Sequence, residues 1–192
     1  FSFRCHHGKK KLTLRDPLVI EDKKIIWLIG NSGSGKSTFL HLLKGFYPEF
    51  LSGELSSHSV GILEKASYLA QNPLTQIVHE KVGEEFFFSM ENAQYSPNTM
   101  EQKKVWMKKF GFDNKEFENT QNLSHGFAQR LLLASMLATN PEWLLLDEPT
   151  AFLDPVMRSD FYTTLTSLKN EVGIFIIDHH KDLAQIADTC IH

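Results

Sequence analysis

Four short, mostly apolar runs are the most regular feature of the sequence, and each has the length of a buried β-strand. They lie at residues 25–29, 67–70, 143–146 and 174–177. Strands of a parallel sheet are covered on both faces, so their sequences are apolar throughout rather than alternating. The runs therefore predict one parallel central sheet. The segment LTLRDPLVIED, residues 12–22, instead alternates and contains Pro17, which is typical of antiparallel edge strands.

Outside the predicted strands, apolar residues recur with helical spacing. The expected helices span residues 36–45, 82–92, 99–110, 128–138, 156–170 and 181–187. From about residue 73 to residue 129 no segment has a strong strand pattern, which predicts a mostly helical insertion between two strands. We therefore expect one α/β domain of residues 1–192, with a core of residues 1–72 and 130–192 and a helical part at about 73–129.

Composition and charge narrow the class of protein. The 192 residues and the 42% hydrophobic content suit a single globular domain. The longest apolar runs are far shorter than the roughly 20 residues that span a bilayer. Cys5 and Cys190 stand far apart and in no metal or redox spacing, as in a reduced cytosolic protein. A formal charge of −3 argues against a nucleic-acid partner.

The first run leads directly into GNSGSGKST, residues 30–38, which has the spacing of a phosphate-binding loop. Its small residues let backbone N–H groups turn towards phosphate oxygens, and the helix that starts near Lys36 presents its positive end to the same anion. Lys36 would neutralise the β- and γ-phosphates of a nucleotide, and the Ser37 hydroxyl would hold Mg²⁺. The sequence thus predicts a nucleoside triphosphate site.

The run WLLLDEP places two adjacent acids, Asp147 and Glu148, at the end of a predicted buried strand. Nucleotide hydrolysis needs one acid for Mg²⁺ and one that activates water, and ligands bind at the carboxyl ends of parallel strands. Neighbouring side chains diverge in an extended strand, so the two acids are expected to serve different ligands. Asp147 would reach Mg²⁺ through water, and Glu148 would polarise the attacking water.

The stretch LSHGFAQR, residues 123–130, precedes an apolar helical run and allows two interpretations. Ser124 is a favourable N-cap residue, so the stretch can simply begin a helix. Free N–H groups at a helix start also bind anions, so the same residues can form part of a phosphate site. Taken alone, the stretch leaves both interpretations open.

Together these motifs resemble the nucleotide-binding subunits of ATP-binding cassette (ABC) transporters, because LSHGFAQR is similar to the family signature and the other motifs stand in the family's order. Those motifs are GNSGSGKST, Gln71 in YLAQNP, the DEP acids, AFLD ending in Asp154, and IIDHH after a strand. The resemblance covers nearly the whole chain. It implies a P-loop NTPase core with a parallel central sheet, an antiparallel N-terminal β subdomain and an inserted helical subdomain. It also implies an ATPase that uses ATP and Mg²⁺.

The resemblance assigns roles to individual residues. Lys36, Gln71, Glu148 and His179 would be catalytic. Gln71 would touch Mg²⁺ or water, and His179, rather than His180, would bridge the γ-phosphate and the attacking water. The implied nucleotide-binding residues are Asn31, Ser32, Gly33, Ser34, Gly35, Lys36, Ser37, Thr38 and Cys5, and the implied magnesium-binding residues are Ser37, Gln71 and Asp147.

The resemblance also implies that the signature serves the nucleotide of a partner, because two cassettes of this family meet head to tail. Ser124, His125 and Gly126 would contact the γ-phosphate held by a second ABC ATPase subunit, identical or different. Asp154 would lie in the loop at the dimer interface.

Two positions depart from the family pattern. Cys5 stands where the family stacks an aromatic ring on adenine, and His6 is the alternative residue for that contact. Phe127 stands where Gln or Glu is usual, so polar contacts of that position would be lost. The phosphate contact by Ser124 and Gly126 is expected to be retained.

The segment QNPLTQIVHEKVGEEFFFSMEN resembles the ATPases of energy-coupling factor (ECF) importers of vitamins and of cobalt or nickel ions. The implied partners are a transmembrane scaffold protein and a substrate-binding membrane protein, at the cytoplasmic face of the cell membrane. Residues 82–90, with Phe86, Phe87 and Phe88, are a candidate docking surface for such a partner, although they also suit the core. Nucleic acid is not an expected partner.

Two other functions fit the same motifs. A soluble ABC ATPase would use the cassette as a clamp on ribosomes, DNA or chromosomes, but it would normally show paired cassettes, a long coiled-coil insertion or a basic arm. A nucleotide-binding regulatory subunit with weak catalysis would fit Cys5 and Phe127, but Glu148 and His179 argue against it. The importer ATPase is therefore the preferred interpretation.

Overall fold

A computed structural model describes residues 4–7, 10–13, 20–46, 63, 65–92 and 99–192 of the chain. The chain divides into two compact units. The first comprises residues 1–68, 142–147 and 166–192, and the second comprises residues 69–141 and 148–165. Each unit is therefore built from segments that are distant in the sequence.

The first unit contains a two-stranded antiparallel sheet of β1 (Arg4–His7) and β2 (Lys10–Thr13). The expected antiparallel segment, residues 12–22, is confirmed at its first two residues, which lie in β2. Residues 20–22 are not in a strand, and residues 14–19 lie outside the described residues.

Within the described residues the central sheet has five strands, and the four predicted from apolar runs are confirmed. The strands are β3 (Ile25–Leu28), β4 (Ala66–Leu69), β5 (Trp143–Asp147), β6 (Gly173–Ile177) and β7 (Thr189–Ile191). Their order is β4-β5-β6-β3-β7, with β3 parallel to β6 and β7, and β5 parallel to β6. Strands β3, β5 and β6 are buried along their whole length, which explains their continuous apolar sequences. The α/β class with a parallel central sheet is confirmed.

Strand β7 is not predicted by the sequence pattern, because its residues are exposed or half-buried at the edge of the sheet and form no apolar run. Its position is fixed by pairing with β3 and by the residue before it, Asp188. The Asp188 carboxylate accepts a hydrogen bond from the Ile25 N–H at 3.0 Å and forms an ion pair with Lys169 at 2.6 Å.

Helix α1 (Lys36–Lys44) covers the sheet of the first unit with its apolar side. Phe39, Leu40, Leu42 and Leu43 are buried there and belong to one cluster with residues of β3, β5 and β6. The Phe39 ring meets the Phe175 ring edge-on, at 6.2 Å between centroids. This packing fixes the position of the loop between β3 and α1.

The second unit is mostly helical. Its helices are α2 (Val82–Asn92), α3 (Thr99–Lys109), α4 (His125–Ala138) and α5 (Pro155–Ser167). The last two residues of α5 belong to the first unit. Short 3₁₀ helices occur at Pro73–Thr75 and Thr120–Asn122. Helix α4 contacts both α2 and α3, and most of its residues are buried.

Five of the six expected helices are confirmed as α-helices, and the sixth is different. The segment expected at residues 181–187 is a 3₁₀ helix, Lys181–Gln185, in which the N–H groups of Leu183 and Ile186 bond to carbonyl oxygens three residues back. Helix α4 begins at His125 rather than at residue 128. In the part of the chain that the structure describes, no helix is both long and apolar enough to cross a membrane.

The expected division into a core and a helical part at about 73–129 stays a prediction. In the structure, α4 belongs to the second unit with α2 and α3, since its apolar residues pack against those helices. The second unit therefore continues beyond residue 129.

Candidate functional site

The loop between β3 and α1 has the backbone of an anion-binding loop. Gly33 and Gly35 have φ angles of 75° and 98°, in the left-handed region that favours glycine. Gly35 is also the N-cap residue of α1, so the first N–H groups of the helix follow the loop directly. Such N–H groups attract phosphate oxygens. The loop and the first turn of α1 contain the predicted residues Asn31, Ser32, Gly33, Ser34, Gly35, Lys36, Ser37 and Thr38.

The side chain of Lys36 folds back over this loop. Its Nζ donates hydrogen bonds to the carbonyl oxygens of Gly30 at 2.8 Å and Asn31 at 3.0 Å. The loop backbone therefore positions the ammonium group, and a phosphate bound by the loop would meet this positive charge.

The carboxylate of Asp147 lies at the end of β5 and is only 6% exposed. Its Oδ2 accepts a hydrogen bond from the Tyr68 hydroxyl at 3.0 Å. The same Tyr68 oxygen lies 3.0 Å from Nε2 of His41, a residue of α1. Burial, and then the charge of Asp147, raise the pKa of the Tyr68 hydroxyl above its ordinary value.

The donors in the first unit fit Mg²⁺. Magnesium prefers oxygen ligands and keeps several of its waters, so it needs few protein ligands. Asp147 offers a buried carboxylate, whose burial costs free energy unless a cation or hydrogen bonds compensate it. Ser37 offers a hydroxyl from the first turn of α1, the helix that packs against β5.

The end of β6 lies beside the end of β5. Asp178 is buried there, its backbone oxygen accepts the Trp27 Nε1–H at 2.9 Å, and its Oδ1 accepts the His180 N–H at 3.1 Å. His179, between Asp178 and His180, is exposed. Strands β5, β6 and β3 are adjacent, and β6 is parallel to both neighbours, so the carboxyl ends of all three lie on the same edge of the sheet. Asp147 is the last residue of β5, His179 follows β6, and the phosphate-binding loop follows β3.

In the second unit, two predicted catalytic residues are in contact: Gln71 Nε2 donates a hydrogen bond to Glu148 Oε2 at 2.8 Å. Glu148 has a φ angle of 47°, which is costly for a residue other than glycine and occurs often at functional sites. The expected extended backbone through Asp147 and Glu148 is therefore wrong. β5 ends at Asp147, and a left-handed residue follows it.

The LSHGFAQR stretch forms the start of α4, and Ser124 is its N-cap residue. The Ser124 hydroxyl accepts a hydrogen bond from the Phe127 N–H at 3.3 Å, which confirms the helix-start interpretation. The His125 ring stacks on Phe152, with 5.0 Å between centroids and 29° between planes. Contact of these residues with a partner's phosphate stays a prediction.

Gly126 lies within the first turn of α4 and is buried. A Cβ atom at this position would lie 2.7 Å from Sδ of Met157 in α5. A side chain at this position would therefore have to displace the flexible end of the Met157 side chain. This steric contact is independent of any contact with a second chain.

The ring of Phe127 packs within the second unit. It meets Phe112 edge-on at 6.2 Å, and its centroid lies 5.3 Å from Lys115 Nζ and 5.7 Å from the Arg130 guanidinium carbon. These contacts explain the aromatic residue at this position of the signature.

Two other predicted residues have contacts of their own. Asp154 caps α5, since its Oδ1 accepts the Val156 and Met157 N–H groups, each at 2.9 Å. Cys5 lies in β1, opposite Leu12 of β2. Their roles at the dimer interface and at adenine stay predictions.

Sequence reasoning misses three residues that support this site. Gln129 is 2% exposed, and its Nε2 donates to the carbonyl oxygen of Pro149, the residue after Glu148. The signal for Gln129 in the sequence is a polar residue on the apolar side of a predicted helix. Tyr68, which contacts Asp147, and His41, which contacts Tyr68, are the other two. These contacts join segments far apart in sequence, so no local pattern predicts them.

Comparisons with known proteins identify relatives over most of the chain. A family model described as ABC transporter matches residues 16–151. Energy-coupling factor transporter ATP-binding protein EcfA1 of Thermotoga maritima is 35% identical over 178 residues, covering 90% of this chain and 68% of the relative. The protein of the same name from Leuconostoc mesenteroides is 34% identical over 197 residues, covering 91% of this chain and 68% of the relative.

A solved structure has the same fold. CbiO1 from Clostridium perfringens, described as part of the ABC transporter complex CbiONQ, superposes with a TM-score of 0.78 at 22% identity. The similarity covers 97% of this chain and 80% of that one. The expected arrangement of a nucleotide-binding core, a small antiparallel sheet and inserted helices is confirmed as a fold.

Proposed function

The chain belongs to the ABC transporter family and is an ATPase of it, and on this basis we propose that it powers an importer of the energy-coupling factor type. The similarity to two energy-coupling factor ATPases, each over about nine tenths of this chain, carries the proposal. The chain would act at the cytoplasmic face of the membrane, paired with a second ABC ATPase subunit. Together they would drive uptake of a vitamin or a metal ion.

The proposed reaction is in-line attack of water on the γ-phosphorus of ATP. The loop N–H groups and Lys36 would bind the phosphates, and Ser37 and Asp147 would hold Mg²⁺, which supplies charge neutralisation when bound. Glu148, oriented by its hydrogen bond from Gln71, would accept the proton of the attacking water as the bond between the γ-phosphorus and the ADP oxygen breaks. His179 would bridge the water and the γ-phosphate.

MgATP binding would close two cassettes on each other, and hydrolysis would let them reopen. In the closed dimer, Ser124, His125 and Gly126 would contact the γ-phosphate on the partner, and Asp154 would lie at the interface. The helical unit would pass this movement to the membrane partner.

A groove of about 440 Å³ in the second unit is the proposed docking surface for the transmembrane scaffold. It is lined by His79, Lys81, Gly83, Glu84, Phe87, Phe88, Glu116 and Phe117. Phe117 is 84% exposed, Phe87 41% and Phe88 38%. Phe86, in contrast, is buried against Phe112, so the three aromatic residues of α2 divide between the core and the groove. Exposed aromatic rings around a groove are typical of a protein interface.

The importer proposal is tested by co-expressing the chain with the membrane proteins encoded beside its gene and capturing it through a tag on the scaffold in detergent. Phe117→Ser should lower the amount captured about tenfold, the effect of losing an aromatic interface residue worth ~1.4 kcal/mol. Val105→Ser is the matched control, because Val105 is 64% exposed and does not line the groove. Phosphate release by the isolated variants should equal that of the parent chain.

Equal capture of Phe117→Ser and the parent chain would assign docking to another surface. Failure of the parent chain to bind the scaffold, together with intact ATPase activity, would instead refute the importer and favour a soluble ABC ATPase.

Weak selectivity for ATP over GTP is expected from Cys5. Without an aromatic ring to stack on adenine, GTP should compete with ATP to within about tenfold, or ~1.4 kcal/mol. Cys5→Tyr should tighten ATP binding by a comparable factor at most, since one stacking contact is worth ~1 to 3 kcal/mol in other base-binding sites. Nucleotide titration of both proteins measures this. A strong ATP preference in the parent chain that Cys5→Tyr leaves unchanged would mean that another residue, such as His6, holds the base.

A further inference from the structure

Tyr68 is the residue that holds the carboxylate of Asp147. Its hydroxyl oxygen lies 3.0 Å from Asp147 Oδ2 on one side and 3.0 Å from His41 Nε2 on the other. A hydroxyl has a single proton to donate. Since a carboxylate only accepts, the Tyr68 proton goes to Asp147, and His41 must donate its Nε2–H to the Tyr68 oxygen.

Two aromatic side chains surround the Tyr68 ring. The rings of His41 and Phe46 meet Tyr68 edge-on, with centroids at 5.1 Å and 6.0 Å. Both rings pack against the side of the Tyr68 ring, and the hydrogen bonds to His41 and Asp147 hold its hydroxyl end. The Tyr68 hydroxyl is thus placed as a hydrogen-bond donor to Oδ2 of Asp147.

We propose that Tyr68 is a positioning residue for the magnesium-binding carboxylate: its hydrogen bond to Oδ2 fixes the rotation of the Asp147 carboxylate so that the other oxygen faces the ion. This inference rests on the proposed role of Asp147. Hydrogen-bond partners of a metal ligand set its orientation and commonly change metal affinity when removed. Tyr68 lies at the end of β4, next to β5, so the sheet itself supplies the geometry.

Tyr68→Phe tests the proposal, because it removes the hydroxyl and keeps the ring. The Mg²⁺ concentration for half-maximal phosphate release should rise about tenfold, the lower end of the effect of removing such a partner. Turnover at saturating Mg²⁺ should stay within about twofold of the parent chain, since the reacting groups are unchanged. Calorimetry should show unchanged ATP binding in EDTA and weaker binding of MgATP at limiting Mg²⁺.

Two further variants separate the possible outcomes. Phe46→Leu removes a ring contact to Tyr68 without touching Asp147, so it should leave the Mg²⁺ requirement unchanged. Asp147→Asn should raise that requirement more than Tyr68→Phe does. If Asp147→Asn raises it and Tyr68→Phe does not, Tyr68 is only a core residue and the inference is wrong. If neither variant raises the Mg²⁺ requirement, the proposed role of Asp147 as a Mg²⁺ ligand is wrong, and the inference about Tyr68 is wrong with it.

Discussion

Replacing Glu148 with glutamine should lower ATP turnover by roughly 10²- to 10³-fold, within the range for loss of a general base. The amide keeps the size of the side chain and can still accept a hydrogen bond from Gln71, so the local structure should survive. ATP binding should persist, because the phosphate-binding loop and Lys36 are unchanged. Uncleaved ATP should then hold two cassettes together, and size exclusion with MgATP should show a dimer alongside the loss of phosphate release.

Glu142→Gln is a matched control for this experiment. Glu142 is an exposed acid just before β5, where it forms an ion pair with Lys65 at 3.0 Å, so its loss should have little effect on turnover. A Glu148→Gln protein that releases phosphate at the parent rate would remove Glu148 from the catalytic role. A protein that loses turnover but binds no ATP would point to a folding defect at the strained residue instead.

The features that the sequence predicts are those set by local patterns. Strands β3, β5 and β6 are buried on both faces, and such strands must be apolar throughout. The phosphate-binding loop is equally local, since glycines at the left-handed positions 33 and 35 are required by the backbone of one short segment. Its position between β3 and α1 follows from the chain order alone.

The features that the sequence does not predict depend on contacts between distant segments. The hydrogen bonds from Gln71 to Glu148 and from Tyr68 to Asp147 each join residues 77 or 79 positions apart. The left-handed backbone of Glu148 is also invisible, because a glutamate gives no local signal for φ > 0. These same contacts orient the side chains of Asp147 and Glu148, so the orientation of the two acids cannot be predicted from the sequence alone.

The first residue of α4 is another feature that the sequence pattern does not predict correctly. Gly126 lowers helix propensity, so the sequence pattern predicts a helix only from residue 128. In the structure the Ser124 cap starts the helix at His125. The cap therefore overrides the low helix propensity of glycine here, and the Met157 side chain lies where a side chain at position 126 would point.

Gly126→Asp should lower turnover by at least ~10²-fold, the size of effect seen when a preorganised donor to developing charge is lost. The added carboxylate would repel the γ-phosphate that the signature of one chain contacts on another. Phe127→Gln is the control on the same turn. Because the Phe127 ring packs on Phe112, its side chain should matter little to the chemical step, and turnover should change by no more than about threefold, roughly 0.7 kcal/mol.

The contact with Met157 gives a competing explanation of any loss, and a double variant separates the two. Met157→Ala makes room for the new Cβ, so Gly126→Asp with Met157→Ala should recover turnover if the clash alone is responsible. If the carboxylate acts on a phosphate, the double variant should be as inactive as Gly126→Asp alone. Gly126→Ala, which adds the Cβ without the charge, should be affected far less than Gly126→Asp and should respond to Met157→Ala.

Mixing two damaged copies of the chain identifies whose nucleotide is affected. In a dimer of Gly126→Asp with Lys36→Ala, one composite site would carry both lesions and the other neither, so about half of the parent activity should return if the sites work independently. Coupling between the sites can hide this rescue, so ATP-driven dimerisation is measured beside phosphate release. If Gly126→Asp hydrolyses ATP and dimerises like the parent chain, LSHGFAQR is only the start of a helix, and the proposed two-chain active site is wrong.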